Sequence, residues 1–362
     1  KRECDMEKIF SIIINGANWL CGTPILAAAS VVALILMIST RGFVFRKFSY
    51  IVCQIVGGLR NKEATEKGIS SFSACCTALG NTLGVGNIAG IAIALASGGP
   101  GALFWIWIAG VLGIAIKYSE VILGSHYKEQ DPETGVYRGG IMYYIERGLG
   151  ANLKWMAVLY ALVYGLSNFI IEATQINSVV GAFQGVWQFP PVLVGIVAAV
   201  LIALVLFGGI RRLSDVSNKL IPFAALLYVG VSFVIVLLHI AQLPGILKEV
   251  FLAAFTGSAA CGGFAGASAN MAIRYGIMRG FYSNGAASGD VAFAHSTADV
   301  RHPVDQGMWG AVEGVVDTIV CSSTALVILT TDVLGSGLTG TALTTAAFSA
   351  FFRNEQAGAL FI

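Results

Sequence analysis

The stretch Gly80-Asn-Thr-Leu-Gly-Val-Gly-Asn-Ile-Ala-Gly90 interrupts an apolar run from Phe72 to Ala96. Four glycines, two asparagines and a threonine are not expected where a helix crosses a bilayer. Backbone groups released from a helix find no water in hydrocarbon, and each unpaired group costs several kcal/mol. Broken backbone persists at that depth only where it is buried in protein or lines a cavity. The stretch therefore predicts a discontinuous helix that serves a binding cavity.

A second interruption, Cys261-Gly-Gly-Phe-Ala-Gly266, lies inside the run from Val250 to Gly276. Two interrupted hydrophobic segments in different halves of one chain indicate the binding site of a secondary transporter. The alternative for either segment is a glycine-lined packing seam between helices, which is common in membrane proteins.

The composition is that of a polytopic membrane protein. Hydrophobic residues make up 56% of the chain and charged residues 12%, about half the charged fraction of an average soluble domain, and the mean hydropathy is +0.77. The net charge of +2 says nothing about nucleic acid, but no basic tract is present and no nucleic-acid partner is expected. The seven cysteines show no metal-binding spacing and are interpreted as small buried apolar residues.

Runs of about 20 apolar residues predict membrane-spanning helices. We expect an N-terminal helix, seven further spans and a ninth run that opens near Leu343 and is cut off at Ile362, so that the chain is interpreted as C-terminally incomplete. The predicted helices are Ile9–Ser39, Ser71–Ala96, Ala102–Ser125, Leu153–Val180, Pro191–Gly209, Lys219–His239, Val250–Gly276 and Gly307–Thr330.

The distribution of Lys and Arg predicts the orientation of these spans. Sixteen of the 22 basic residues fall in loops on one side, including Arg211, Arg212 and Lys219, and four fall on the other. Loops rich in Lys and Arg face the cytoplasm. We therefore expect a multi-pass protein of the cell inner (plasma) membrane with its N-terminus outside.

Polar residues within the predicted spans are the candidate site residues. Asn81, Thr82 and Asn87 offer neutral oxygens to a desolvated sodium ion, and half-helix N-termini offer N–H groups to a carboxylate. Gln175 shares a helix face with Glu172, three residues earlier. A carboxylate inside a membrane is by default a functional hypothesis. The alternative for this pair is a hydrogen bond or ion pair between helices.

Two later segments carry further candidates. In the second interruption, Phe264 beside bare glycine backbone is placed to cover a small ligand, or simply to pack. Asp317 and Thr318 in the following span are candidate cation ligands, or else bond a neighbouring helix.

Lys117 and Glu120, three apart, predict a local ion pair with both side chains snorkelling toward the cytoplasmic interface. The four histidines fall at span ends and in loops. No HExxH, GxSxG or phosphate-binding loop is present, which argues against a membrane enzyme and against an ATP-driven pump. No cofactor is expected.

Several motifs together resemble the alanine or glycine:cation symporter family. They are GVGNIAG at 84–90, GGPGALFWIW at 98–107, KYSE at 117–120, GGIMYYIERGLG at 139–150, GGFAGA at 262–267, RGFYSN at 279–284, HPVDQG at 302–307 and DTIVCSSTALVIL at 317–329. They follow one another in order from the first helix to the end of the chain.

The resemblance implies an all-α leucine-transporter-like fold with two inverted five-helix repeats. On this view residues 1–362 form a single transporter domain with an extra helix at 9–40, a first repeat at 71–240 and a partial second repeat at 250–362. The two interruptions become the first helix of each repeat.

The resemblance also implies which residues bind substrate and cation. The substrate set is Thr82, Gly84, Gly86, Asn87, Gln175, Asn177, Gly262, Gly263, Phe264 and Gly266. The expected sodium ligands are Asn81, Thr82, Asn87, Asp317 and Thr318.

Three positions depart from the family pattern. Val85 replaces a threonine, Gly285 replaces a glutamate near the cytoplasmic end, and Glu172 adds a carboxylate.

We expect a sodium-coupled symporter that imports a small neutral amino acid, alanine or glycine, by alternating access. Three alternatives stay open: coupling to protons, a channel-like uniporter, and an amino-acid sensor that binds without transporting. A chain of this length alone is expected to be inactive. The oligomeric state is left open.

Overall fold

The structure, a computed structural model, describes residues 16, 19, 22–58, 68–256 and 269–362. Almost all of the described chain is helical, which confirms the predicted all-α membrane class. The helices are α1 Thr23–Ser39, α2 Phe43–Arg46, α3 Phe48–Gly58, α4 Ser71–Thr82, α5 Ile91–Gly98, α6 Ala102–His126, α7 Ile141–Gly148, α8 Lys154–Trp187, α9 Pro191–Leu206, α10 Gly209–Leu238, α11 Leu243–Thr256, α12 Ala269–Asn284, α13 Val291–Ser296, α14 Pro303–Thr330, α15 Gly340–Phe352 and α16 Glu355–Phe361. The strands β1 Glu129–Gln130 and β2 Tyr137–Arg138 form a short antiparallel pair.

The first predicted interruption is a break in one helix. After α4 the chain is extended at Leu83 (φ −82°, ψ 95°). It then re-forms as a π-helical turn, Gly86–Gly90, which runs into α5. The two halves meet at 53°. We call the whole segment, residues 71–98, the bent helix. A turn of three residues, in which Gly99 has φ +69°, leads from it into α6.

Four described helices, α6, α8, α10 and α14, are long and apolar enough to cross a bilayer, and the bent helix makes a possible fifth span. The predicted full span Pro191–Gly209 is wrong in length. The helix there ends at Leu206 after 16 residues, below the roughly 20 residues that a span requires. The chain turns at Phe207 and Gly208, where Gly209 has φ +66°.

The start of α10 also differs from the prediction. The helix begins at Gly209 rather than near Lys219, so Arg211, Arg212 and Lys219 lie in its first turns and not in a loop. A helix of 30 residues exceeds the bilayer core, and its charged first turns therefore extend beyond the apolar stretch. The sequence prediction also missed α3, which lies in a segment interpreted as a loop.

In the predicted span Val250–Gly276, residues 250–256 belong to α11 and residues 269–276 to α12. The second interruption, including Gly262, Gly263, Phe264 and Gly266, lies outside the described residues.

Helix α6 forms the centre of the described fold. It packs along α14 and α12, and also contacts α13 and α1. Small residues allow these helices to approach closely. A Cβ on Gly276 of α12 would lie 2.6 Å from the Trp105 Cβ and from the Ala102 carbonyl oxygen of α6. Because lipid tails are as apolar as side chains, such close packing is a main source of helix association in a membrane.

Helices α8 and α9 lie at the periphery. Leu166 and Phe169 of α8 and Val192 of α9 are more than 60% exposed, and α9 buries none of its described side chains. Exposed apolar faces of this extent are typical of surfaces that contact lipid or further protein.

We predict that Gly276→Ala lowers the free energy of unfolding by about 1–3 kcal/mol, because the added methyl group overpacks the contact with α6. Gly195→Ala in α9 is the matched control, since nothing lies within 4 Å of a Cβ there. Thermal unfolding in detergent provides the measurement. Equal melting temperatures for the two variants would contradict the close packing of α12 on α6.

Candidate functional site

Side-chain amides replace the helical hydrogen bonds that are lost at the bend. The Gly84 N–H donates to Asn87 Oδ1 at 3.1 Å, and the Asn87 N–H donates to the Gly84 carbonyl, also at 3.1 Å. The Val85 N–H points to Gln175 Oε1 of α8, 3.4 Å away. Two residues predicted to bind substrate, Asn87 and Gln175, thus also hold the broken backbone.

A cavity of about 770 Å³ opens beside the bend, within the usual size range of small-molecule sites. Its wall comes from the bent helix, α8 and α12. Of the predicted residues, Asn81, Thr82, Gly84, Gly86 and Gln175 line it, together with Val85, Glu172 and Gly285. These residues are brought together as the sequence predicts, whereas Asn87 lies behind the wall and is 1% exposed.

Gly84 is required by the close approach of α8. A Cβ at this position would lie 2.6 Å from Gln175 Oε1, so any larger residue displaces the amide that accepts the Val85 N–H. Gly86 is less constrained, since a Cβ there would meet the Tyr282 ring at an ordinary 3.6 Å.

Behind the bend, four polar residues form what we call the Asp317 cluster: Asn87, Ser283, Asp317 and Cys321. Asn87 Nδ2 donates to Asp317 Oδ1 at 2.6 Å, and the Ser283 hydroxyl donates to the same oxygen at 3.0 Å. From the described residues, the second carboxylate oxygen receives a long thiol contact, 3.9 Å from Cys321 Sγ. Among the described residues, the ion pairs do not include Asp317.

Two predicted site residues lie elsewhere. Thr318 is turned away from Asp317 and donates to the Gly314 carbonyl of its own helix at 2.8 Å, beside a separate groove between α6, α10 and α14. Asn177 is exposed and does not line the cavity. Successive residues of a helix are rotated by about 100° about its axis. Thr318 therefore points away from its neighbour Asp317, and Asn177 points away from Gln175. Neither lies at the position predicted for it in the sodium or substrate site.

Asn81 borders the cavity but is engaged by a neighbouring acid. Its Nδ2 donates to Asp290 Oδ2 at 3.0 Å, and the Ser288 hydroxyl donates to Asp290 Oδ1 at 2.6 Å. Asp290 lies in the loop after α12, and burial raises the pKa of its carboxyl, an effect that the hydrogen bond from Ser288 opposes. The loop is thereby tied to α4 at the edge of the cavity.

The predicted local pair of Lys117 and Glu120 is wrong. Lys117 Nζ instead binds Glu313 Oε1 of α14 at 2.7 Å, and both side chains are fully buried. His295, expected at the edge of the protein, is buried in α13 and bonds the other Glu313 oxygen at 3.0 Å. A buried partner on a distant helix replaces the sequence neighbour.

Sequence reasoning missed Glu313, Asp290 and Ser283. Glu313 offered a signal, because it precedes Asp317 by four residues in an otherwise apolar run and therefore shares its helix face. Within the described ranges, no group of three or more His, Cys, Asp or Glu residues is arranged to hold a metal ion.

The turn after α12 carries a testable backbone constraint. Gly285 has φ +61° and a Cβ there would approach Asp290 Oδ1 to 3.2 Å, whereas Ala287 adopts φ +69° with a side chain. We predict that Gly285→Ala lowers the free energy of unfolding by about 1–2 kcal/mol, while Ala287→Gly does not lower it. Denaturation of both variants measures this, and equal losses would contradict the turn geometry.

The sequence profile described as the sodium:alanine symporter family matches residues 6–362. The uncharacterized transporter YflA of Bacillus subtilis is 38% identical over 351 residues, which cover 96% of this chain and 74% of the relative. The putative sodium/proton-dependent alanine carrier protein YrbD of the same organism is 36% identical, over 89% of this chain and 64% of the relative. The probable sodium/glutamine symporter GlnT of Bacillus subtilis is 36% identical, over 99% of this chain and 73% of the relative.

Proposed function

Because the chain belongs to the sodium:alanine symporter family, and is thus a cation-coupled amino-acid transporter of a membrane, we propose that it imports a small neutral amino acid together with sodium by alternating access. The amino acid binds in the cavity beside the bend, and the sodium ion binds at the Asp317 cluster behind it. The N-terminus faces outward and the membrane is the plasma membrane.

The proposal of a sodium site rests on one observation, the burial and the hydrogen-bond partners of Asp317. Its carboxylate is 1% exposed in a helix long enough to span the bilayer. A buried charge at this depth is costly unless it is paired. Within the described part of the chain its hydrogen bonds come from neutral groups, Asn87 and Ser283, and no described cationic side chain is bonded to it. A sodium ion at the free oxygen supplies the positive charge.

The bend supports recognition of a zwitterion. The π-helical turn Gly86–Gly90 begins at the cavity wall, and the positive end of a helix dipole favours a substrate carboxylate. Gln175 accepts the Val85 N–H and stands on the wall next to that position. Val85 and Gly86 form part of the cavity wall and present no polar side-chain atom to it. A substrate with a small side chain fits this arrangement, and alanine and glycine are the proposed pair.

Coupling follows from the shared residue Asn87. Its Oδ1 holds the backbone of the bend and its Nδ2 holds Asp317. A cation at Asp317 therefore stabilises one arrangement of the bend, and the substrate that binds this arrangement is favoured by the same free energy.

Uptake of labelled alanine into proteoliposomes tests the proposal. We expect accumulation above the external concentration under an inward sodium gradient and none without it. Accumulation driven only by a proton gradient would identify the proton, not sodium, as the coupling ion. Two observations justify this test: Glu172 lies on the cavity wall, and the relative YrbD is named a putative sodium/proton-dependent carrier. Binding without accumulation would instead identify a sensor. Glutamine and glycine serve as competing substrates.

We predict that Asp317→Asn raises the sodium concentration for half-maximal uptake by roughly 10–100-fold, since an interaction with a charged group contributes about 1.5–3 kcal/mol. Thr318→Val is the matched control on the same helix, because its hydroxyl bonds only its own helix and its shape is kept. An unchanged sodium dependence in Asp317→Asn would place the cation elsewhere.

We predict that Gln175→Ala raises the KM for alanine about tenfold, because it removes part of the wall and leaves the Val85 N–H without its acceptor. Asn177→Ala, two residues away and facing out of the cavity, is expected to transport as the unmodified protein does. Initial rates of sodium-driven uptake measure both. A larger effect at Asn177 would reverse the assignment of the two side chains.

A further inference from the structure

A second buried charged group lies one helical turn from Asp317 and has no part in the proposed substrate or sodium site. Its core is Lys117 of α6, Glu313 of α14 and His295 of α13, and each of these side chains is 0% exposed. We call these three residues the Glu313 cluster. Lys117 Nζ lies 2.7 Å from Glu313 Oε1, and His295 Nε2 lies 3.0 Å from Oε2.

Gln306 contacts the far edge of the His295 ring. Its Nε2 lies 2.6 Å from His295 Nδ1 and also donates to the Ser71 carbonyl at 3.4 Å. The other ring nitrogen, His295 Nε2, is thereby held toward Glu313. The ammonium group that pairs with Glu313 is that of Lys117.

The cluster is joined directly to the bend. The Thr82 hydroxyl, on the last residue of α4, donates to Glu313 Oε1 at 3.1 Å, and Lys117 binds that same oxygen. One carboxylate oxygen thus connects the end of α4 with α6 and α14. The link is made at the residue where the helix breaks.

Lys117 lies among several buried acids. Its charge acts on the carboxylates of Glu120, Asp290, Glu313 and Asp317. A buried carboxylate is costly in its charged form unless it is paired. At Glu313 the protein supplies the paired cation itself, whereas the ion pairs of the described residues do not include Asp317.

We propose that the Lys117 ammonium is a tethered cation, which occupies beside Glu313 and Thr82 the place that a free cation would otherwise fill, and that it holds α4 against α6 and α14 throughout transport. Lys117 and Glu313 are thus positioning residues. The exchangeable cation binds only at the Asp317 cluster, so one sodium ion accompanies each substrate. This inference rests on the proposed function for its role in transport, but the presence of the tethered cation is testable without transport.

The decisive experiment is chemical rescue of Lys117→Ala, read out as thermal stability of the purified full chain in detergent. Alanine removes three carbons and the ammonium group, which n-propylammonium replaces, and n-propanol is the neutral counterpart of similar shape. We expect the melting temperature of the variant to fall by about 10 °C and to rise again with n-propylammonium or with sodium at concentrations that leave the unmodified protein unaffected. Equal recovery with n-propanol, or no recovery with any cation, would overturn the proposal.

The matched control is Lys154→Ala. Lys154 binds Glu146 at the same 2.7 Å, but this pair is exposed (63% and 43%). Its removal is expected to leave both stability and the response to n-propylammonium unchanged. A rescue of this variant as large as that of Lys117→Ala would mean that the amine acts non-specifically, which would also overturn the proposal.

The double variant Lys117→Met, Glu313→Gln covers the case in which Lys117→Ala does not fold. It removes both charges and roughly keeps the shapes of the two side chains, so we expect it to fold. Its sodium-driven uptake is expected to fall by about tenfold or more. The unmodified protein is expected to show a Hill coefficient for sodium near 1. Unchanged uptake in the double variant would show that no cation is needed there. If the unmodified protein does not transport, the proposed function fails and the rescue experiment still decides the tethered cation.

Discussion

The unpaired backbone at the bend is the constraint on which the rest of the site depends. A helix that breaks within a bilayer must find partners for the groups it releases. Asn87 supplies one from within the bend, and Gln175 supplies another from α8. Both partners have a second task, since Asn87 also bonds Asp317 and Gln175 forms part of the cavity wall. The side chains that bond the free backbone N–H groups of the bend therefore also connect it to the cavity, α8 and α14.

Two acids on one face of α14, Glu313 and Asp317, have different partners. Glu313 and Asp317 are one turn apart and both face the bent helix. Lys117 neutralises Glu313, which turns that carboxylate into a fixed connection to Thr82. Asp317 receives hydrogen bonds from the neutral groups Asn87 and Ser283, and it is the residue at which we propose that the exchangeable ion binds.

Sequence reasoning predicted the break at Gly84–Asn87 because glycine and asparagine within an apolar run have few explanations at bilayer depth. It also placed Gln175 at the cavity, since its spacing from Glu172 set a common face. It failed where a motif was carried over without helical geometry. Asn177 is two residues from Gln175, which lines the cavity, and Thr318 is one residue from Asp317, and the helix turns both away from these neighbours.

The partner of Lys117 was beyond sequence reasoning for another reason. Glu120 and Glu313 are chemically equivalent partners, and helical spacing favours the nearer one. Only the packing of α6 against α14, made close by glycines such as Gly310, brings Glu313 within 2.7 Å. The fold class was evident from composition and hydropathy, whereas pairings between distant helices depend on packing that no local pattern records.

Calorimetric titration of sodium into the purified protein, with and without alanine, tests the central claim most directly. Linkage requires that alanine raise the affinity for sodium by the same factor by which sodium raises the affinity for alanine. The account predicts equal factors above one, one sodium site per chain, and loss of that site in Asp317→Asn. Sodium binding that is unaffected by alanine, or that persists undiminished in Asp317→Asn, would contradict it.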